Sequence, residues 1–107
     1  MEYTVIITLQ ATEQIREIAA YIARTLQEPE IARHWVNRLE REISELRFLP
    51  LRYPSTEEEP WHTGGIRKMT VKNFLVYYRV EEESKTVSVL AVLYGRRDQL
   101  AALTNGE

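Results

Sequence analysis

The chain has 107 residues, of which 44% are hydrophobic, 28% charged and none cysteine, and its formal net charge is −2. That length suits a single domain spanning 1–107 with one core, and the lack of cysteine excludes disulfides, zinc–thiolate sites and a thiol nucleophile, as fits a cytoplasmic protein. The opening Met1-Glu2-Tyr3-Thr4 lacks the charged-then-apolar layout of a secretory signal, and apolar runs such as 87–94 are too short to span a bilayer, so no membrane role is expected. Charge is uneven: residues 1–59 carry 7 basic and 11 acidic groups, residues 60–107 carry 7 and 5.

Tyr3, Val5, Ile7 and Leu9 alternate with Thr4, Ile6 and Thr8, a period of two rich in β-branched side chains that predicts a strand. From Ala11 the period becomes helical, through Ile15, Ile18, Ala19, Ile22 and Leu26, with Thr12 available as N-cap. Glu28-Pro29-Glu30 breaks the chain and opens a second helix, because proline is tolerated in a first turn and acids there complement the dipole. Its apolar stripe is Ile31, Trp35, Leu39, Ile43 and Leu46, its outer face carries Arg38/Glu42 and Arg41/Glu45 at a spacing of four, and Pro50 sets its end near Leu49.

Residues 51–64, with Pro54, Pro60, Gly64 and three consecutive glutamates, read as an exposed loop and the least ordered stretch. Three strands follow, over 66–71, 74–80 and 87–94, joined by a tight turn at Lys72-Asn73 and a second over 81–85. The order strand-helix-helix-strand-strand-strand predicts an α+β domain, with a two-helix hairpin packed on one face of a mostly antiparallel sheet and the other face left open.

Strand alternation sorts the side chains. Phe74, Val76, Tyr78 and Val80 share one face, and Leu75, Tyr77 and Arg79 the other. Val87, Val89, Ala91 and Leu93 are expected opposite Ser88, Leu90, Val92 and Tyr94, while Arg67, Met69 and Val71 alternate with Ile66, Lys68 and Thr70. Tyr78 reads as a core residue with its hydroxyl at the edge.

Cations at the strand ends mark a surface for a polyanion such as RNA or DNA. Arg67 and Lys68 point to opposite faces, so one of them lies on the open one, where it either binds or simply blunts an edge. Arg96-Arg97, after Gly95, could grip phosphate bidentately, or pair with Asp98 or a helix acid. His62, in the loop beside the open face, has the chemistry of a general acid or base but is more simply an exposed side chain, and His34, beside Trp35, reads as a surface or helix-packing residue of the second helix. The histidines lack metal-ligand spacing, and no glycine-rich phosphate loop or nucleophile elbow occurs, so neither metal nor cofactor is expected.

Taken in order, Val5-Ile6-Ile7-Thr8 with Ala11, Ile15 to Ala23, Leu46 to Pro50, Ile66 to Val71, Phe74 to Val80, and Val89 through Tyr94-Gly95-Arg96-Arg97-Asp98 resemble the RelE/ParE superfamily, the toxins of bacterial type II toxin–antitoxin modules. The resemblance runs nearly end to end. It implies the α+β fold derived above, growth inhibition, a link to plasmid stabilization, and a cognate antitoxin protein as partner. Two targets are then open. The ParE-like branch binds DNA gyrase without chemistry of its own; Arg67, Lys68, Tyr94, Arg96 and Arg97 are then the candidate target-binding residues. The RelE-like branch cleaves mRNA on the ribosome without a metal, and by that resemblance Lys68, Arg97, Tyr94 and His62 are the catalytic candidates. Leu75, however, stands where the RelE-like branch usually has arginine, and Leu103 or its neighbours where it has a C-terminal tyrosine. The ending 92–98 looks closer to the ParE-like form, in which histidine often takes the place of Tyr94. A non-toxic binding module of the same fold is the third possibility.

Overall fold

A computed structural model of the chain describes residues 2–57, 59 and 61–94. The elements in chain order are β1 (Thr4–Ile7), α1 (Leu9–Ala20), a π-helical turn (Tyr21–Thr25), α2 (Pro29–Ser44), short 3-10 turns at Glu45–Arg47 and Pro50–Arg52, then β2 (Ile66–Val71), β3 (Phe74–Glu81) and β4 (Thr86–Tyr94). The sheet order is β1-β4-β3-β2, with β1 parallel to β4 and the other pairs antiparallel. The expected α+β layout is therefore what forms, as a four-strand mixed sheet carrying two helices.

The first helix starts earlier than the sequence pattern suggests. Thr8, not Thr12, is its N-cap: the Ala11 amide donates to Thr8 Oγ1 at 3.2 Å, and the Thr8 backbone is extended. Thr8 also donates its own amide to Val89 O at 3.1 Å, so one residue closes the parallel pairing and opens the helix. At the far end the Leu26 amide reaches Tyr21 O, a π-type bond, and Gln27 turns the chain at φ +56° before Pro29 opens α2.

In α2, Ala32, Leu39 and Ile43 are buried, Trp35 is half-buried, and Ile31 remains 46% exposed at the edge of the stripe. The helix ends at Ser44 rather than near Leu49, because a 3-10 turn tightens the chain and buries Leu46. Leu49, at φ −133° and ψ 69°, takes the non-helical conformation that Pro50 imposes on the residue before it. Among the described residues the ion pair that forms is Arg33 with Glu30, at 3.2 Å, and not the four-spaced pairs farther along the helix.

The principal core lies between helices and sheet, where Leu39, Ile43 and Leu46 meet Met69, Val76, Tyr78, Val87, Val89 and Val92. β4 does not alternate uniformly. Tyr77 pairs with Ala91 but Tyr78 pairs with Val89, so Leu90 is an extra residue, a β-bulge. The bulge exchanges the faces of everything beyond it. Val92 and Tyr94 therefore join Val87 and Val89 on the helix side, while Ala91 and Leu93 go to the opposite side, reversing the expected assignment.

That opposite side is not open. Ile66, Leu75, Tyr77 and Ala91 are buried there, with the half-buried Leu90 and Leu93 packed against them, under Trp61 from the 51–64 segment. The segment expected to be an exposed, poorly ordered loop is in part a lid. Ser55 bridges to Arg67, the Thr56 amide donates to Ile66 O at 2.9 Å, and the Ile66 amide donates to Trp61 O at 3.1 Å. Hydrogen bonding to β2 and burial of an indole are what hold it, and neither registers in its polar composition. No helix of the described residues is long and apolar enough to cross a membrane.

Candidate target-binding face

The sheet separates the residues singled out from sequence. Arg67 lies on the helix side with Met69 and Val71 and is occupied internally: one Nη donates to the carbonyls of Leu51 and Tyr53. Beside it the Tyr78 hydroxyl donates to Pro50 O at 2.6 Å. Arg67 and Tyr78 are directly opposed across β2 and β3, so together they suspend the 50–53 turn from the sheet. Tyr78 has its hydroxyl buried rather than at the edge. Desolvation pushes its pKa up to about 12, holding the phenol neutral as a hydrogen-bond donor.

Tyr94 is also on the helix side. Its ring packs 5.2 Å from Phe74 and 6.3 Å from Tyr21, and it closes a cleft of about 150 Å³ with Gln14, Glu17, Ile18 and Val92. β1 stops at Ile7, so this end of β4 has no strand neighbour on that side. Gln14 takes that place, its Oε1 accepting from the Val92 amide at 2.8 Å.

Lys68 projects from the other side, opposite Tyr77. Among the described residues no carboxylate or ring engages its ammonium. Arg79 opposes Ile66, which makes it the diagonal neighbour of Lys68 on the same face, at a spacing of roughly 7 Å between strand positions. Its Nε donates to Gly64 O at 3.3 Å, leaving the outer guanidinium nitrogens available. Between them Trp61 covers Tyr77, ring centroids 6.0 Å apart. Strand alternation puts Arg79 on this face with Tyr77 but does not mark it as a site residue, and the one sequence signal for Trp61 is an indole beside a proline, with Gly64-Gly65 just ahead of a strand.

His62 follows Trp61 and is exposed. Its Nδ1 lies 2.9 Å from Thr56 O, a carbonyl that can only accept, so Nδ1 carries the proton in that bond. Glu59, one turn back, accepts from the hydroxyl and amide of Thr63 at 2.6 and 3.1 Å; these bonds, the hydroxyl's first, hold its carboxyl below the usual range. Arg96 and Arg97 lie outside the described residues. Among those described, no three His, Cys, Asp or Glu side chains gather as metal ligands.

The face therefore presents two cations around an indole, with a histidine at its rim, while Arg67 and Tyr94 lie on the reverse of the sheet. Such a surface can bind an anionic or acidic partner.

Residues 5–99 match the model of a protein family described as the ParE toxin of the type II toxin–antitoxin system parDE. Among solved structures, the chain is similar to one from the chromosomal ParDE system of P. aeruginosa, with 20% identity and TM-score 0.70 over 87% of this chain and 96% of that one. It is similar to one from the RelBE2 toxin–antitoxin complex of Mycobacterium tuberculosis, with 22% identity and TM-score 0.63 over 88% and 99%. The isolated E. coli RelE toxin follows at 14% identity and TM-score 0.58 over 97% and 96%. Identities this low speak for a common fold alone, and no curated protein sequence matches the chain. The family match covers nearly the whole length: this chain belongs to the ParE toxin family of type II toxin–antitoxin systems.

Proposed function

We propose that this protein arrests bacterial growth by binding DNA gyrase through the Lys68–Trp61–Arg79 face, and that an antitoxin encoded beside it holds it inactive. The observation that carries the choice of target is Leu75. It is buried beneath Trp61 with Tyr77 and Ala91, at the place where the RelE-like branch usually has arginine. A cation could not be offered to a scissile phosphate from that position without removing the apolar cover.

The placement of the catalytic candidates agrees. General acid–base cleavage needs its groups within hydrogen-bond reach of one phosphate. Lys68 and Tyr94 point to opposite faces of one sheet, and Tyr94 is packed between aromatic rings. A binding inhibitor has no such demand, since cations and an indole on one face suffice for a partner surface. The solved ParDE and RelBE2 neighbours belong to toxin–antitoxin systems, which supports an antitoxin partner here.

The test is expression in a bacterium with and without the adjacent small gene, followed by a supercoiling assay with purified gyrase. Growth arrest relieved by the neighbour, DNA-damage induction and loss of supercoiling are expected. Intact supercoiling together with cut mRNA in a translating extract would transfer the protein to the ribosome-dependent nucleases. Normal growth at high expression would make it a binding module of the same fold.

A further inference from the structure

A groove of about 350 Å³ runs between the first half of α2 and the β2–β3 turn, lined by Glu30, Ile31, His34, Trp35, Arg38 and Lys72. It lies on the helix side of the sheet and takes no part in the face described above. Its floor is apolar: Ile31 is 46% exposed, and the half-buried Trp35 is backed by Phe74. Its rim is cationic. Lys72 comes from the turn, Arg38 from one turn of helix beyond His34, and among the described residues neither pairs with a carboxylate. Glu30, the one acid of the lining, is already held by Arg33 at 3.2 Å.

Lys72 has φ +55°, the left-handed region that glycine or asparagine enters readily and lysine does not. Turn geometry therefore gives no reason for lysine there. What the residue contributes is an ammonium at the rim of an apolar groove.

We infer that this groove is a docking site for an acidic peptide segment of a partner protein, one apolar side chain seated on Ile31 and Trp35 and flanking carboxylates meeting Arg38 and Lys72. Charge complementarity selects an anionic occupant, and the apolar floor selects one that brings a side chain to bury. A nucleic acid fits less well. It needs a continuous basic track, and on the side of α2 that Arg38 occupies the next positions are Arg41 and the acid Glu42, in a chain of net charge −2.

The probe is a synthetic peptide with one phenylalanine flanked on each side by glutamates, titrated into the 15N-labelled protein. The Trp35 indole signal is distinguished from that of Trp61 by a Trp61→Phe variant. Saturable shifts of the Trp35 indole and the Lys72 amide are expected, weakening as salt is raised. The same peptide with lysines for glutamates should bind at least about tenfold more weakly, the factor that roughly 1.4 kcal/mol produces. Arg38→Gln and Lys72→Asn, both at exposed positions and the second favourable for the turn, should each reduce binding while leaving the rest of the spectrum in place. Equal binding of the lysine peptide, shifts mapping elsewhere, or no saturable shift would overturn the inference. Tighter binding of a short RNA or DNA at the same signals would reassign the groove to nucleic acid. None of these outcomes depends on gyrase or on growth arrest.

Discussion

The Tyr78 hydroxyl donates to the carbonyl of Pro50 at 2.6 Å, across 28 residues of sequence. Arg67, opposite Tyr78 on the neighbouring strand, donates to the carbonyls one and three residues farther along the same turn, those of Leu51 and Tyr53. Residues 50–53 pair with no strand, and Pro50 is buried, so its carbonyl must find a side-chain donor or go unsatisfied. Two strand residues on the helix side supply the donors. The turn that ends the helical region is thereby locked to the sheet before the chain crosses to cover the opposite face.

Tyr78→Phe keeps the ring and deletes the donor, leaving a buried carbonyl unpaired. The expected loss is about 1–3 kcal/mol. The phenol adds a pH dependence whose sign is fixed. Burial raises the folded-state pKa to about 12, above an ordinary value near 10, so the folded state holds the proton more tightly. Stability from this group is complete below about pH 10 and falls as pH rises towards 12, by roughly 2–3 kcal/mol if the full shift is realised. Urea unfolding at pH 8 and pH 11 checks both points: the wild type should lose more on going to pH 11 than Tyr78→Phe does. Equal losses would place the alkaline sensitivity at other tyrosines.

Arg67 and Lys68 are adjacent in sequence and should behave oppositely. Arg67→Ala removes a guanidinium bonded to two carbonyls, and about 1–3 kcal/mol of stability should go with it; Arg67→Lys should restore little, since an ammonium does not reproduce the fork. Lys68→Ala removes a cation with no partner among the described residues, so the melt should stay within about 0.5 kcal/mol of wild type. If the Lys68 face binds the target, growth arrest is nevertheless lost in Lys68→Ala. A stable, fully toxic Lys68→Ala protein would remove that face from the proposed site.

Element types and their order were legible because they rest on periodicity: two for the strands, 3.6 for Ile15 to Ile22 and for Trp35 to Ile43. What was not legible rests on tertiary hydrogen bonding. Thr8 and Thr12 are equally good caps by residue type, and Thr8 wins because it is also the last residue held by β4. The bulge at Leu90 cannot be read from 87–94, where apolar residues stand on both faces and a one-residue slip leaves the pattern intact. The site suffered most from this. Arg67 and Lys68 do lie on opposite faces, as alternation requires, but Tyr94 belongs to the helix side beyond the bulge, and a face expected to be open has Trp61 across it.

Trp61→Ala tests that cover. The indole is half-buried, so the cost should fall below the roughly 3–5 kcal/mol of a fully buried tryptophan, at about 2 kcal/mol. Leu75, Tyr77 and Ala91 would then meet solvent, and binding of a hydrophobic dye should rise before the main transition. A normal melt without added dye binding would show that the sheet face is protected by other means.

The final prediction concerns Gln14. β1 pairs with β4 only as far as Ile7 and Val89, so the amide of Val92 has no strand to receive it. Gln14 Oε1 accepts that amide at 2.8 Å from α1, a side chain standing in for a missing strand. Gln14→Leu keeps much of the volume without the acceptor and should cost about 1–2 kcal/mol. Gln14→Glu keeps an acceptor oxygen at the same reach and should cost less. Global stability alone cannot separate this from a packing defect in the cleft that Gln14 shares with Ile18 and Tyr94. Hydrogen exchange can. If the bond protects the strand end, the Val92 amide exchanges faster in Gln14→Leu, while Val87 and Val89, both paired on β1, keep their protection relative to global stability. Uniform acceleration along β4 would indicate that Gln14 acts through packing, and unchanged exchange at Val92 would show that the strand end is held without it.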